Sequence, residues 1–493
     1  MDAASIVSPP THRPVRPVFA DLGSAFSADV RPTPLPSPRL VHRNAALADA
    51  LGFADDPTGR AALTALCAGD GLPDDWRPVA SGYAGHQFGV FVPQLGDGRA
   101  LILGTIEATD GTPHELQLKG GGPTPWSRMG DGRAVLRSTI REYIGSEAMH
   151  ALGIPTTRAL ALVASPQPVL RERPEPAAAL LRTAPTHVRF GHLEWCAVRH
   201  DVAAMTTLLA HLADFLPAIE GPTVAERAVA CLHDVAVRTA QLVAGWQSVG
   251  FVHTVMNTDN MSMLGLTIDY GPYAFMEAYD PAFTPNHSDP WGRYAYGAQP
   301  SIARWNVERL ADALALVAPR DALARATAAF DEAWAEAWDV RFHAKLGFVQ
   351  RTAGTRLCVR SFLQLLADQR ADFTRAFRAL ATVTADDDAP ARAARDEFPH
   401  PDAFDRWCLG YRALLRRDGR DDATRAAAMR AVNPRLVPRT GALQRAIERA
   451  EAGDDREVAR LVAAYAAPFD ERDDDADLTL ASPEGGSALS CSS

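Results

Sequence analysis

The chain is almost without lysine. Of its 50 basic residues only Lys119 and Lys345 are lysine, and the other 48 are arginine. Asparagine is scarce too, at six in 493 residues. Both residues have AT-rich codons, so the shortage points to a GC-rich, bacterial genome. A surviving Lys or Asn then marks a place where Arg or Asp does not serve. Neither lysine follows a glycine, which excludes the GxxxxGKS/T phosphate loop. HExxH is missing, and no histidines stand in an HxH or HxxxH pair, so a His-based metal site has no signature. Cysteines at 67, 196, 231, 358, 408 and 491 form no CxxC, which argues against a zinc ribbon or a thioredoxin-like site. No apolar run approaches the ~18 residues of a membrane span. The N-terminal stretch lacks the basic-then-apolar order of a signal peptide. These absences predict a cytoplasmic protein with reduced thiols and no membrane partner. A net charge of −10 makes nucleic acid a poor general partner.

What is present is a globular composition, 47% hydrophobic and 22% charged, long enough for about two to four packed units. Residues 1–40 are Pro-rich and read as an extended arm, and 43–68 have helical periodicity. From 79 to 120 the pattern is an antiparallel meander with turns at Asp97-Gly98 and Asp110-Gly111, ending at Lys119. A glycine-rich loop, 120–133, precedes a helix over 134–152. Strands follow in "RALALVAS" and "AALLRTA", and "HVRFGHLEW" leads into helix. Beyond 201 the chain is helical to about 467, including a long helix over 223–250, with an interruption at 251–270 that carries two short strands. The acidic, Ser/Gly-rich stretch 469–493 reads as a mobile tail. The order predicts an α+β, two-lobed protein-kinase-like fold. Its divisions are an arm with helices (1–75), a β-rich N-lobe (76–200), a mainly helical C-lobe with a metal loop (201–345) and a helical C-terminal extension (346–468). A ligand belongs in the cleft between lobes.

Lys119 ends a strand, and Glu142 follows 23 residues later on a helix with no basic neighbour three or four residues away. Protein kinases pair such a strand Lys with a helix Glu to hold phosphate. Asn260 and Asp269 stand nine residues apart in "MNTDNMSMLGLTIDYG", where Asp269-Tyr270-Gly271 has the form of a metal-holding D-F-G turn. The Asn and the Asp supply hard oxygens for Mg²⁺. One departure stands out: the kinase catalytic Asp lies five residues before the metal Asn, and that position here is Val255. The nearest acid is Asp259. "QLGDGRA" is either a lid on a nucleotide or a bare turn, and Arg133 at a helix start suits an anion. Arg182 and Arg189 bracket "TAPTHV" and can clamp phosphates. His86, His192 and His253 read as structural.

Four segments resemble the selenoprotein O family: "YAGHQFGVFVPQLGDGRALILG", "LQLKGGGPTPWSRMGDGRAVLRSTIREYIGSEAMHALGIPTTRAL", "APTHVRFGHLE" and "GFVHTVMNTDNMSMLGLTIDYGPYAFM". The likeness runs from about 80 to 300, includes "NHSDPWGRYAYGAQP", and returns at "KLGF". It implies a kinase-fold protein adenylyltransferase that moves AMP from ATP to Ser, Thr or Tyr hydroxyls of proteins, with ATP inverted so that its γ-phosphate points inward. By resemblance, Lys119 contacts phosphate and pairs with Glu142. Gly96, Gly98 and Arg99 cover the nucleotide, Asp131 and Gly132 bind it, and Arg182 and Arg189 hold the buried phosphates. Asn260 and Asp269 ligate Mg²⁺, with Mn²⁺ also suited, and Asp259 accepts the proton. Cys491 occupies the place of the family's terminal Cys or selenocysteine, and Tyr273 stands where some relatives carry a second Cys. Two other readings stay open: γ-phosphoryl transfer, against which Val255 counts, and a nucleotide-binding scaffold, against which the retained metal ligands count.

Overall fold

The computed structural model describes residues 18–386 and 391–482. Eleven strands and fifteen helices are defined among them. The strands are β1 (Ser27–Asp29), β2 (Arg39–Arg43), β3 (Val79–Gln87), β4 (Val90–Gly96), β5 (Ala100–Glu107), β6 (Pro113–Lys119), β7 (Ala134–Val135), β8 (Arg158–Leu170), β9 (Pro174–Ala184), β10 (Phe251–Val252) and β11 (Ala274–Phe275). The first eight helices are α1 (Ala45–Ala50), α2 (Pro57–Cys67), α3 (Leu136–Ala151), α4 (Phe190–Val198), α5 (Val202–Ala213), α6 (Val224–Ser248), α7 (Gln299–Leu314) and α8 (Arg320–Lys345). The rest are α9 (Ala353–Gln369), α10 (Phe373–Ala379), α11 (Arg392–Arg395), α12 (Pro401–Asp418), α13 (Asp422–Val432), α14 (Thr440–Glu451) and α15 (Arg456–Tyr465). The chain is therefore α+β, with an antiparallel sheet first and helices after it.

The sheet runs β1-β3-β5-β6-β9-β8-β2, with β4 added to β3 and β7 to β9. Alternation along the strands gives it two apolar faces. Leu118 and Leu181 share a core with Leu63 and Leu66 of α2. Leu180 turns the other way, into the core that contains Ile140 and Ile144 of α3. In register, Gln117 lies opposite Arg182 and Lys119 opposite Leu180, so Gln117, Lys119 and Arg182 share the α3 face.

Several expectations differ from the structure. Residues 27–29 and 39–43 of the supposed arm are strands, β1 on β3 and β2 on β8. The 43–68 periodicity is divided into two helices, because Asn44 and Asp56 each accept a backbone N–H at a helix start. At Asp97-Gly98 the chain turns between β4 and β5, but those strands do not pair, and the tight hairpin is β3–β4 instead. Its turn is Phe88-Gly89, with φ of 51° and 84°, the left-handed pair that a two-residue hairpin loop requires. Phenylalanine is no signal for such a turn, so the sequence hides it. The Asp110-Gly111 turn does join paired strands, β5 and β6, with Asp110 Oδ1 accepting from Thr112 N at 2.9 Å. The second short strand of the 251–270 interruption lies beyond it, at β11, paired with β10.

Helix α6 starts at a capping box: Thr223 Oγ1 accepts from Glu226 N, and Glu226 Oε2 accepts from Thr223 N. It packs along α8 and α7. Helix α3 is buried along most of its length, with His150 exposed near its C-terminal end. Besides the sheet, α14 and α15 pack on it, and Ile144, Ala148, Leu443, Ile447, Leu461 and Tyr465 fall in one core. The acidic stretch after 468 is held as far as 482, not mobile as expected. Arg378 and Arg435 pair with Glu471, Arg435 pairs with Asp475, and Ser482 Oγ donates to Glu277 Oε1 at 2.6 Å. Its carboxylates meet arginines of the helical part, which the charge run by itself does not reveal. No described helix is long and apolar enough to cross a membrane. Cys491 lies outside the described residues.

Candidate active site

A cavity of about 710 Å³ opens where the sheet meets the 251–275 segment. Lys119, Glu142, Gly96, Gly98, Arg99, Asp131, Gly132, Arg182, Arg189, Asp259, Asn260 and Asp269 all line it. At its buried end three cations converge on one carboxylate. Lys119 Nζ donates to Glu142 Oε2 at 2.5 Å and to Asp269 Oδ1 at 3.2 Å. Arg182 Nη1 donates to Glu142 Oε1 at 2.6 Å and to Asp269 Oδ1 at 2.8 Å, while Arg182 Nε and Nη2 grip Gln117 Oε1. Arg189, which precedes α4, donates to Asp269 Oδ2 and to the Asp259 carbonyl. Burial works to raise the Asp269 pKa, but Arg189, Lys119 and Arg182 overcome it and hold the carboxyl well below the usual range. Asp269 has a φ of 56°, a left-handed conformation that aspartate adopts more readily than most residues other than glycine.

Asp259 sits in a short 3₁₀ turn beneath the β3–β4 hairpin. Gly85 leaves it room: a Cβ there would meet Asp259 Oδ1 at 2.8 Å. Oδ2 accepts a long bond from Gln87 Nε2 at 3.4 Å, and Oδ1 is buried with no partner. Burial pushes the carboxyl up to about 7, against the opposing pull of Arg189. The turn is pinned through its neighbours. Thr258 Oγ1 accepts from His86 N and donates to Glu194 Oε2, and Asn257 Oδ1 accepts from Phe88 N and Tyr294 OH. His86 binds Glu194, His253 binds the Ile268 carbonyl, and burial lowers His192 to about 3. All three histidines thus serve the fold, as expected.

The rim is built from the glycine-rich segments. The turn at 97–99 is tied down rather than free: Thr124 Oγ1 donates to the Asp97 carbonyl and Ser127 Oγ to that of Gly98. Arg99 is half-buried, and its carbonyl accepts from Gly120 N at 2.7 Å. Asp131 is paired with Arg171. Gly132 has a φ of 68° and touches the Gly122 backbone so closely that no side chain fits. Arg133 departs from its expected role. Its guanidinium donates to the carbonyls of Thr33, Gly120 and Pro34, so it closes the 30s segment over the loop and is not offered to an anion.

Sequence reasoning missed several lining or supporting residues. Gln117 stands two residues before Lys119 on the same strand face, a spacing that could have found it. Asn257 is one of the six asparagines. Gln87, Arg171 and Glu194 carried no signal, because each acts through a partner 40 or more residues away in sequence.

The donors fit a hard divalent cation. Asn260 Nδ2 donates to the Val255 carbonyl at 2.9 Å, which commits the nitrogen and leaves Oδ1 as the atom a cation would meet. The Asp269 oxygens already accept from Lys119, Arg182 and Arg189, so a metal there would share them with these cations. No group of three or more His, Cys, Asp or Glu side chains suited to a metal occurs among the described residues, so substrate oxygens and water would complete the shell.

An enclosed cation cluster facing a protonatable carboxyl and two hard-oxygen donors is the equipment of an enzyme that handles phosphate esters. Sequence comparison specifies the kind. Residues 11–465 match the family described as "Protein adenylyltransferase SelO". Proteins named "Protein nucleotidyltransferase YdiU" are similar along almost their whole length. That of Klebsiella pneumoniae is 46% identical over 473 residues, covering 95% of this chain and 97% of the relative. That of Methylococcus capsulatus is 47% identical, covering 94% and 92%. That of Aeromonas salmonicida is 47% identical, covering 94% and 96%. The chain belongs to the SelO family of protein adenylyltransferases.

Proposed function

We propose that the protein transfers AMP from ATP to Ser, Thr or Tyr hydroxyls of protein substrates and releases pyrophosphate. The observation that carries the reading is the buried cluster of Lys119, Arg182 and Arg189 around Asp269. An AMP transferase must stabilise charge growing on a pyrophosphate leaving group, and fixed, water-excluded cations do this best. ATP then lies inverted, its β- and γ-phosphates at the cations and its α-phosphate toward Asp259. The substrate hydroxyl oxygen attacks the α-phosphorus, the bond from that phosphorus to the bridging oxygen breaks, and Asp259 takes the hydroxyl proton. A carboxyl with a pKa of about 7 suits a base working near neutrality. Val255 offers no carboxylate, so Asp259 replaces the kinase base. Glu142 positions Lys119, while Gly96, Gly98, Arg99, Asp131 and Gly132 enclose the nucleotide. Asn260 and Asp269 would hold Mg²⁺ or Mn²⁺, which when bound neutralises phosphate charge. The arrangement accords with a kinase-like fold whose N-lobe spans 76–200 and whose C-lobe spans 201–345, with a helical extension over 346–468, in a cytoplasmic protein.

The test is ATP labelled separately at its α- and γ-phosphates, incubated with full-length enzyme, Mg²⁺ and a protein acceptor. Label transferred from the α position alone is expected. Transfer from γ alone would replace this reading with phosphoryl transfer, and no label from either would leave a nucleotide-binding scaffold.

A further inference from the structure

The tip of the β3–β4 hairpin leaves large apolar side chains in water at the mouth of the cavity. Phe88 is 39% exposed and lines the cavity, and Val90, 68% exposed, shares the strand face of Gln87, which also lines it, whereas Phe91 turns to the other face with His86. Beside them runs the loop from Asp289 to Tyr294. Asp289 accepts from the N–H groups of Arg293 and Tyr294 and so folds the loop around Trp291, whose side chain is 93% exposed. The two segments are locked together. Tyr294 OH accepts from Phe88 N at 3.0 Å, the two rings lie 5.2 Å apart, and the Arg293 guanidinium packs against Gly89.

The backing is rigid. Arg293 stacks over Trp305 at 4.9 Å, and His86 fills the space between Trp305 and Phe91. Phe88 holds a φ of 51°, a strained conformation for a bulky residue, and two hydrogen bonds to its N–H maintain it. Water-exposed aromatic residues on a strained, over-determined hairpin do not serve the core. The same hairpin covers the Asp259 carboxyl through Gly85 and Gln87, so a hydroxyl that reaches Asp259 carries its flanking residues past this surface.

We propose that Phe88, Val90 and Trp291 form the docking surface for the protein substrate, and that they accept an apolar side chain next to the hydroxyl-bearing residue. The proposal rests on the transfer reading above, and continuity of the patch with the cavity selects a substrate segment as the occupant. A preorganised apolar surface gains from burial without an ordering cost, so it acts on substrate KM and leaves nucleotide affinity alone.

The experiment uses full-length protein, ATP labelled at α or γ, and peptides with one acceptor hydroxyl flanked either by Leu and Phe or by Ser and Asp. Apolar flanks are expected to favour labelling by roughly tenfold or more in kcat/KM, through KM. Val90→Ser lies outside the cavity lining, and Trp291→Ala touches no core residue. Each is expected to reduce that preference to about threefold or less, with unchanged ATP affinity by calorimetry. Equal labelling of both peptide classes from α-labelled ATP overturns the docking surface and leaves AMP transfer standing. An apolar preference read out only with γ label keeps the surface and overturns AMP transfer. A wild-type dimer in sedimentation that Trp291→Ala dissociates assigns the patch to self-association and overturns the proposal, as does a wild type that labels no peptide.

Discussion

Asp259 keeps a proton that an exposed aspartate would surrender three pH units earlier, its pKa rising from 3.8 to about 7. A raised folded pKa makes the carboxyl a source of stability below its ordinary value, and that stability is lost as pH rises through about 7. Asp259→Asn should therefore melt about 2–5 °C above wild type at pH 8 and at the same temperature near pH 4, by scanning calorimetry. AMP transfer by the wild type should rise with pH through about 7, and the Asn variant should be inactive with no such limb. Lys119 fits between Glu142 and Asp269 as a compact ammonium. Lys119→Arg puts a wide planar fork there, and activity should fall below about half with ATP affinity reduced. Asp269 is also the counter-ion of three cations, so Asp269→Asn leaves a buried positive cluster. That variant should melt below wild type and recover with inorganic pyrophosphate in thermal shift, more than wild type gains from the same ligand. These residues were legible because Lys and Asn are rare here and their spacing is distinctive. The partners of Asp259 were not, since Gln87 lies 172 residues away in sequence.

Helix α8 ends in the other lysine. Lys345 Nζ lies 4.2 Å from the Phe377 ring centre and 5.3 Å from that of Phe373, with no carboxylate paired to it among the described residues. Burial, with help from Arg341, lowers its pKa from 10.5 to about 7. A lowered lysine contributes stability only above its ordinary value, and the contribution is lost as pH falls through about 7. Lys345→Met should thus raise the melting temperature at pH 7 and do little near pH 10.5. An unchanged difference across that range would show that the amine is not desolvated. Rarity flagged this lysine, yet nothing in the sequence said that its environment is aromatic. Element order was readable where periodicity or caps are strong, as in α6 and the β5–β6 hairpin. It failed at the β3–β4 turn, where contacts from Asn257 and Tyr294 impose a conformation that phenylalanine does not prefer. Among the described residues strand β4 pairs only with β3, and Pro93 sits within it, as an edge strand permits and a central one does not.

At the level of the whole molecule the decisive feature is the burial of α3, with the sheet on one side and α14 and α15 on another. Arg141 stacks on Tyr273, and Tyr273 OH donates to the Arg141 carbonyl at 2.7 Å, so the helix is also tied to the segment after Asp269. Ending the chain before α14 should expose Ile144, Ala148 and Met149, lower the melting temperature, and weaken ATP binding, because Glu142 loses its fixed position. Retained ATP affinity in such a truncation would mean that the sheet alone places the helix. The protein kinases that share the strand-Lys and helix-Glu pair regulate themselves by swinging that helix in and out. Here the pivot is walled in. To make the same swing, α3 would have to leave α14 and α15, so the C-terminal helices act as a brace that keeps the lysine–glutamate pair assembled.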